Sequence, residues 1–533
     1  MRPAGLLLAF LVGLEFLLSA PSAVAQTPGT PQPDVQRREM RHRKRRIIYN
    51  NDGNDVFLKT LSGPEDFLQQ RIEPALGTQV DAIFYCTLVT TLYQHDTEVA
   101  ERWDDLATAI NTTDKYAVNA RDNMRMLRAA GADCLKLVVD RCRQAGVEIF
   151  WSHRINDIHD CFTPSLLSQW KRRHPECLLG EEGDNRRYPA SDPRNRWTAL
   201  DFEKSEVREY LHRINEEICR RYDVDGIEID YFRNPCFFRP TMTLQPATPE
   251  QLNILTDFQR RTREMARAQG ERRGRPILLA TRVPMTVATC RFVGIDIETW
   301  LSEDLVDLLV TGGGYVPFTM PTRELAELGR AHDVPVYPTI SASGMTGRYG
   351  SPEAWKGAAS NAWHAGADGI YTFNIFPSQP NHWAFTTLGD PEPLSSMDKL
   401  FAIDNRPVLA GGLTQAIEQS QILPVTLDSD GKPRQVTLPV GDDLPDAAAA
   451  GRLAGVSLHM EFSSKAPTDK LEVRLNDEDI EPAEEKDGWV TCRVEPTRFR
   501  QGDNTFELRV LARDPAASDP IVLRSVELRV DYK

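Results

Sequence analysis

From Arg46 onward, short apolar runs alternate with amphipathic stretches, the pattern of βα units that feed a parallel sheet. Eight runs read as strands: 46–52, 80–88, 147–153, 225–231, 276–283, 306–313, 334–340 and 368–376. The intervening segments read as helices. In "KSEVREYLHRINEEICRRY", Val207, Leu211, Ile214 and Ile218 recur at helical spacing, with Asp201 near the start. Eight such units predict a (β/α)8 TIM barrel with enlarged loops over residues 47–405. Beyond it the period changes to two, in "GVSLHMEF", "KLEVRLN", "GWVTCRVE", "NTFELRVLAR" and "IVLRSVELRVDY", with turn residues such as "QGDN" between runs. That texture predicts a C-terminal antiparallel β-sandwich over 406–533, either carbohydrate-binding or purely structural. The expected fold class is α/β.

The N-terminus departs from this pattern. Arg2 precedes the apolar run "GLLLAFLVGLEFLL", and Ala23 and Ala25 follow at an A-x-A spacing, so residues 1–25 read as a signal peptide cleaved before Gln26. A secreted or periplasmic location is expected. Residues 26–46 read as a Pro-rich and basic linker, its block "RREMRHRKRR" being taken for a solvated run. No later segment approaches the roughly 20 apolar residues of a membrane span. Net charge is −14, which disfavours nucleic acid as a partner. Nine scattered cysteines show no C-x-x-C, and there is no HExxH, so no metal site is indicated. In an exported chain, Cys161 with Cys177 or Cys236 is a candidate disulfide. Walker, dinucleotide and G-x-S-x-G signatures do not occur, and no cofactor is implied.

In a (β/α)8 barrel the active site lies at the C-terminal ends of the strands, where alternate residues face inward. In "VDGIEIDYFRNP", Ile227 and Ile229 form the set expected against the helices, so Gly226, Glu228 and Asp230 point inward. The two acids then stand roughly 6 to 7 Å apart along one face. Burying both is costly unless they are paired, hydrogen-bonded or used in chemistry. The alternative is a strand end at which Asp230 caps a loop and Glu228 pairs with an arginine. Other strand ends add a polar cluster in "WSHRINDIHD": Trp151, His153, Arg154, Asn156, Asp157 and His159. Arg233 and Arg282 follow the fourth and fifth strands. With Arg154 they would suit a carboxylate or sulfate. Tyr231, Trp300 and Tyr315 offer aromatic faces, and Asn374 a polar contact after the eighth strand.

The stretch "LDFEKSEVREYLHRINEEICRRYDVDGIEIDYFRNP", Leu200 to Pro235, resembles the central motif of the glycosyl-hydrolase-like family 10 proteins, bacterial (β/α)8 barrels. Outside these residues the likeness is weaker. The resemblance implies a glycosidase fold acting on polysaccharide, with Asp230 as the strand-end acid. The strand is similar, more distantly, to the chitinase "DGxDxDxE" strand. Phe232 stands where that pattern carries its proton-donor Glu, which argues against a substrate-assisted mechanism.

Glycoside hydrolysis uses one ionised and one protonated carboxyl group. Asp230 is the candidate nucleophile or base, with Glu228 beneath it as a supporting charge. Because both lie on one strand, the acid is sought elsewhere, and Glu298 in "GIDIETW" is the first choice, Asp296 the second. Either also suits a helix cap. The expectation is an exported glycoside hydrolase acting on a polysaccharide or oligosaccharide, an anionic one being suited to the arginines. The alternatives are a catalytically inactive glycan-binding scaffold, and a lyase or metal-dependent hydrolase built around Asp157 and His159, which EDTA would inactivate.

Overall fold

A computed structural model of the chain describes residues 33–404, 422–428 and 430–533. The expected signal peptide and the Pro-rich start of the linker lie outside the described residues. Eight parallel strands close into a barrel: β1 Ile47–Asn51, β2 Val80–Cys86, β3 Glu148–Arg154, β4 Gly226–Asp230, β5 Leu278–Val283, β6 Leu308–Thr311, β7 Val336–Ser341 and β8 Ile370–Phe373. Each is one of the eight apolar runs, and β8 pairs with β1 to complete the circle. Among the described residues, no helix is long and apolar enough to cross a membrane.

The alternation of a pleated strand divides the core in two. Ile48, Ala82, Phe84, Phe150, Leu278, Ala280, Leu308, Val310, Tyr337, Tyr371 and Phe373 pack inside the barrel. Their neighbours in sequence, such as Ile47, Ile83, Ile149, Ile227 and Ile229, pack against the helices. Gly226 marks the tightest approach inside. A Cβ there would lie 2.2 Å from the Phe150 ring and 2.6 Å from the backbone oxygen of Leu278. The ring can move but the β5 backbone cannot, so Gly226→Ala is expected to cost about 1–3 kcal/mol, read as a lower urea midpoint at an unchanged slope.

The basic block is not a solvated linker. Pro33–Arg41 forms a helix, α1, that closes the N-terminal end of the barrel and places Met40 in the interior cluster. Arg37 and Arg41 bond the buried Asp307, at 2.8 and 2.9 Å, just ahead of β6. Arg45, also buried, bonds Glu148 at the start of β3 at 2.6 Å and the backbone oxygens of Met40 and Arg41. Arg263 and the Leu279 N–H complete the shell around Asp307. These charges tie an N-terminal segment to the bottom of the barrel, away from the face that carries chemistry in this fold.

The C-terminal part is two antiparallel sheets packed on a core of their own. Ile521–Tyr532 is central to the six-stranded sheet, pairing with Leu453–Ser463, Val425–Leu427 and Lys399–Ala402. Since Lys399–Ala402 joins this sheet and Phe401 its core, the sandwich begins before residue 406. Gly502–Ala512 joins Arg434–Val440 and Lys470–Leu475 in the second sheet.

Candidate active site

The end of β4 meets its neighbours in register, Arg154 of β3 opposite Asp230 and Asp230 opposite Arg282 of β5. All three side chains point inward by the alternation of their strands, so a carboxylate lies between two buried arginines at the barrel's C-terminal mouth. Asp230 Oδ2 accepts from Arg282 Nη1 at 3.3 Å, and Oδ1 accepts from the Arg233 backbone N–H at 3.0 Å. Arg282 is fully buried; its Nε donates to the Gly312 oxygen at 3.1 Å, and its guanidinium lies 4.2 Å from the Phe373 ring centre. Burial opposes its charge, and Asp230, Tyr371 and Glu228 more than compensate, raising its pKa.

One layer lower, Glu228 is completely buried between Ser152 and Ala280 of the adjacent strands. Ser152 Oγ and Tyr371 Oη donate to Oε2, the latter at 3.2 Å. Burial first, and the Asp230 charge second, push its pKa up to about 8 against the opposing pull of Arg282, a direction that favours the protonated form.

The loop after β3 brings a second group to the mouth. Asp157 is buried, and its Oδ1 accepts from the His159 backbone N–H at 2.9 Å and meets His159 Nδ1 at 2.6 Å. Its Oδ2 faces Arg154 and Arg233 at 3.7 and 3.8 Å. Burial would raise this carboxyl, but His159, Arg233 and Arg154 outweigh it and hold it below the usual carboxylate range. Several buried polar atoms at this end have no hydrogen-bond partner among the described residues: Arg154 Nε and Nη2, Arg282 Nη2, Glu228 Oε1 and Asp157 Oδ2. Buried polar atoms are rarely left so, and these five fall at one end of the barrel.

Several expected site residues lie elsewhere. Phe150, Ser152 and Arg154 take the inward positions of β3, so Trp151 and His153 face the helices. Trp151 bonds Thr87, and His153 meets Asn215 of the helix Ser205–Arg221 at 2.7 Å and Tyr93 at 2.9 Å. Tyr231 bonds Gln259 and Trp300 bonds Thr256, both on the helix Pro249–Arg273. Asn156 is buried and accepts from the Leu200 N–H, stapling one loop to another. Glu298 sits on the short helix Ile297–Ser302, 58% exposed, with Arg291 as its charged neighbour at 3.7 Å, and no contact joins it to Asp230. Asp296 shares that arginine. Tyr315 borders the mouth, its ring 6.2 Å from that of Phe232, and Asn374 follows β8 and donates to Ser343. Ser152, Tyr371 and Phe373 were not anticipated, although they occupy inward positions on β3 and β8. Arg196 was not anticipated either; it lies close enough to Arg233 and Tyr315 to feel their charges, and its loop carries no periodic signal.

All nine cysteines are buried and none forms a disulfide, so the Cys161 pairings do not form. Among the described residues, His174, Glu176 and Cys177 are spaced to hold a cation, with ligand atoms within 4.8 Å of one another. This trio is separate from the mouth, and burial pushes its Cys177 thiol up to about 11.

No protein-family model matches the sequence, and no curated protein matches it. Among solved structures, α-L-fucosidase isoenzyme 2 from Paenibacillus thiaminolyticus is similar at 12% identity and TM-score 0.41, over 72% of this chain and 51% of that one. The GH36 α-galactosidase AgaA from Geobacillus stearothermophilus is similar at 12% identity and TM-score 0.34, over 92% and 56%. The PgaB (BpsB) glycoside hydrolase domain from Bordetella bronchiseptica is similar at 12% identity and TM-score 0.36, over 62% and 94%. The chain thus spans about half the length of the fucosidase and galactosidase chains. At these scores the similarities assign no activity, which has to be read from the residues themselves.

Proposed function

We propose that this chain is an exported hydrolase that cleaves glycosidic bonds in a carbohydrate carrying anionic groups, at the C-terminal mouth of its barrel. The observation that carries this reading is the pair of inward acids on β4. Burial raises the pKa of Glu228 and favours its protonated form, while Asp230 accepts hydrogen bonds from Arg282 and a backbone N–H, contacts suited to a carboxylate acting as nucleophile or base. Arg154, Arg233 and Arg282 surround it and suit carboxylate or sulfate substituents of the glycan. The test is turnover by residues 26–533 on a panel of uronic-acid-containing, sulfated and neutral polysaccharides, followed by reducing-end release. Release from an anionic member supports the reading. Binding without release from any member favours an inactive glycan-binding scaffold, and loss of activity with EDTA would favour a metal-dependent route.

Glu228 has its own pH signature. Its folded pKa lies above the ordinary value of about 4.3, so between there and about pH 8 the folded state holds the extra proton. Stability from this group is therefore fully present at low pH and falls as pH rises through that window. Above about pH 8 a second negative charge appears beneath Asp230, and activity is expected to drop. Glu228→Gln, neutral at every pH, is expected to keep activity at pH 7 within about tenfold and to remove the alkaline fall, as read in rate and melting profiles from pH 5 to 9. An alkaline fall that persists unchanged in the variant would exclude Glu228 as its source.

A further inference from the structure

We propose that His159, oriented by Asp157, is the group that exchanges a proton with the glycosidic oxygen; this rests on the hydrolytic reading of the mouth given above. Asp230 and Glu228 share one strand and cannot flank a bond from two sides, and Glu298 lies outside on a helix. The β3 loop supplies a group from the neighbouring strand. Arg233 links the two: its backbone N–H bonds Asp230, and its Nη2 lies 3.2 Å from His159 Nε2.

That contact assigns the tautomer. A guanidinium nitrogen only donates, so Nε2 accepts, and the imidazole proton is on Nδ1, donated to Asp157 Oδ1 at 2.6 Å. Asp157 is fully buried, and its own N–H is bonded to Thr90 Oγ1 at 2.8 Å, so the carboxylate holding the ring is itself held. The His159 side chain is 45% exposed, open to a substrate. The charged groups facing it are Asp157 and Arg233, with Arg154 behind Asp157. This is the arrangement in which a carboxylate fixes the tautomer and ring orientation of an imidazole. Arg233 is partly exposed and is placed to leave Nε2 for an anionic group of the substrate.

When Arg233 turns to an anionic group of the substrate, Nε2 is freed and takes a proton from solvent; in the first step the imidazolium so formed gives that Nε2 proton to the glycosidic oxygen. The electron pair of the breaking C–O bond passes to that oxygen, while an Asp230 carboxylate oxygen bonds the anomeric carbon. In the second step neutral Nε2 takes a proton from the water that displaces Asp230, which restores the imidazolium. Asp157 is a positioning residue throughout.

The test uses phenyl and 2,4-dinitrophenyl glucuronides and galacturonides of both anomers with the full chain. A dinitrophenolate leaves without a proton, whereas a phenolate needs one. His159→Gln is expected to slow the phenyl substrates by about 10²- to 10⁴-fold and the dinitrophenyl ones by less than about tenfold. Asp157→Asn is expected to show the same split with a shifted pH profile. Equal losses on both leaving groups, or no loss on either, would overturn the assignment. Nitrogen-15 NMR of histidine-labelled wild-type protein reads the tautomer independently of any variant's folding, and a proton on Nε2 instead of Nδ1 would also overturn it. If the wild type cleaves neither these probes nor the polysaccharide panel, the hydrolytic reading itself falls. If it cleaves them and His159→Gln is unaffected, only the role of His159 falls.

Discussion

Replacing Asp230 by Asn is expected to lower glycan hydrolysis by about 10²- to 10⁴-fold while glycan binding persists. The substitution keeps an oxygen for the Arg233 N–H but removes the charge that faces Arg282 at 3.3 Å. Arg282 keeps the Gly312 oxygen and the Phe373, Phe232 and Tyr371 ring faces, so the barrel should remain closed. The stability cost should be about 1.5–3 kcal/mol, the value of a hydrogen bond to a charged group. Rates must therefore be compared well below the variant's melting temperature, with binding followed separately on the same polysaccharide. A variant that keeps more than about a tenth of the wild-type rate would remove Asp230 from the chemistry.

Asp307→Ala should be the most damaging change to the fold, at about 3–5 kcal/mol. The Asp307 side chain has no exposed surface and is shared by Arg37, Arg41 and Arg263, with Leu279 donating its N–H as well. Taking it away leaves three guanidinium groups crowded at the closed end of the barrel without their common counter-charge. Burial opposes ionisation of Asp307, but the three arginines outweigh it and hold the carboxyl well below the usual range. The sign follows. Stability from this group is present above the unfolded value of about 3.9 and is lost as pH falls below it. Urea unfolding at pH 7 and pH 3 checks both points: the gap between wild type and Asp307→Ala should narrow at pH 3. A cost below about 1 kcal/mol at pH 7 would mean that α1 contributes no more than a surface ion pair does.

The barrel was legible because its signal is local. Each of the eight strands is a short apolar run, and the inward direction of Glu228 and Asp230 followed from the outward pair Ile227 and Ile229 on a period of two. The same count on β3 runs through Phe150, Ser152 and Arg154, and it would have placed Trp151 and His153 among the helices; residue type had outweighed parity there. Tyr231 fell to the same rule one residue beyond Asp230. The three-residue run from Asp157 to His159 was visible as a polar cluster, but its use as a carboxylate-held imidazole depends on a turn that no periodicity describes.

What needed the closed barrel was everything set by partners distant in sequence. "RREMRHRKRR" looks like a solvated run because a string of cations is costly to bury alone, and it is buried here because Asp307 and Glu148 arrive from 100 or more residues away. Glu298 was a reasonable acid by position in sequence, yet an exposed helix turn beside Arg291 gives it no link to Asp230. The raised pKa of Glu228 is the clearest case. Nothing in "DGIEIDY" distinguishes its two acids chemically; that distinction comes from the depth at which each sits and from Arg282, 52 residues further on, bonding Asp230. Strand order and facing follow from local sterics and side-chain alternation, which a linear pattern contains. Charge state follows from desolvation and long-range pairing, which exist only once the chain has closed on itself.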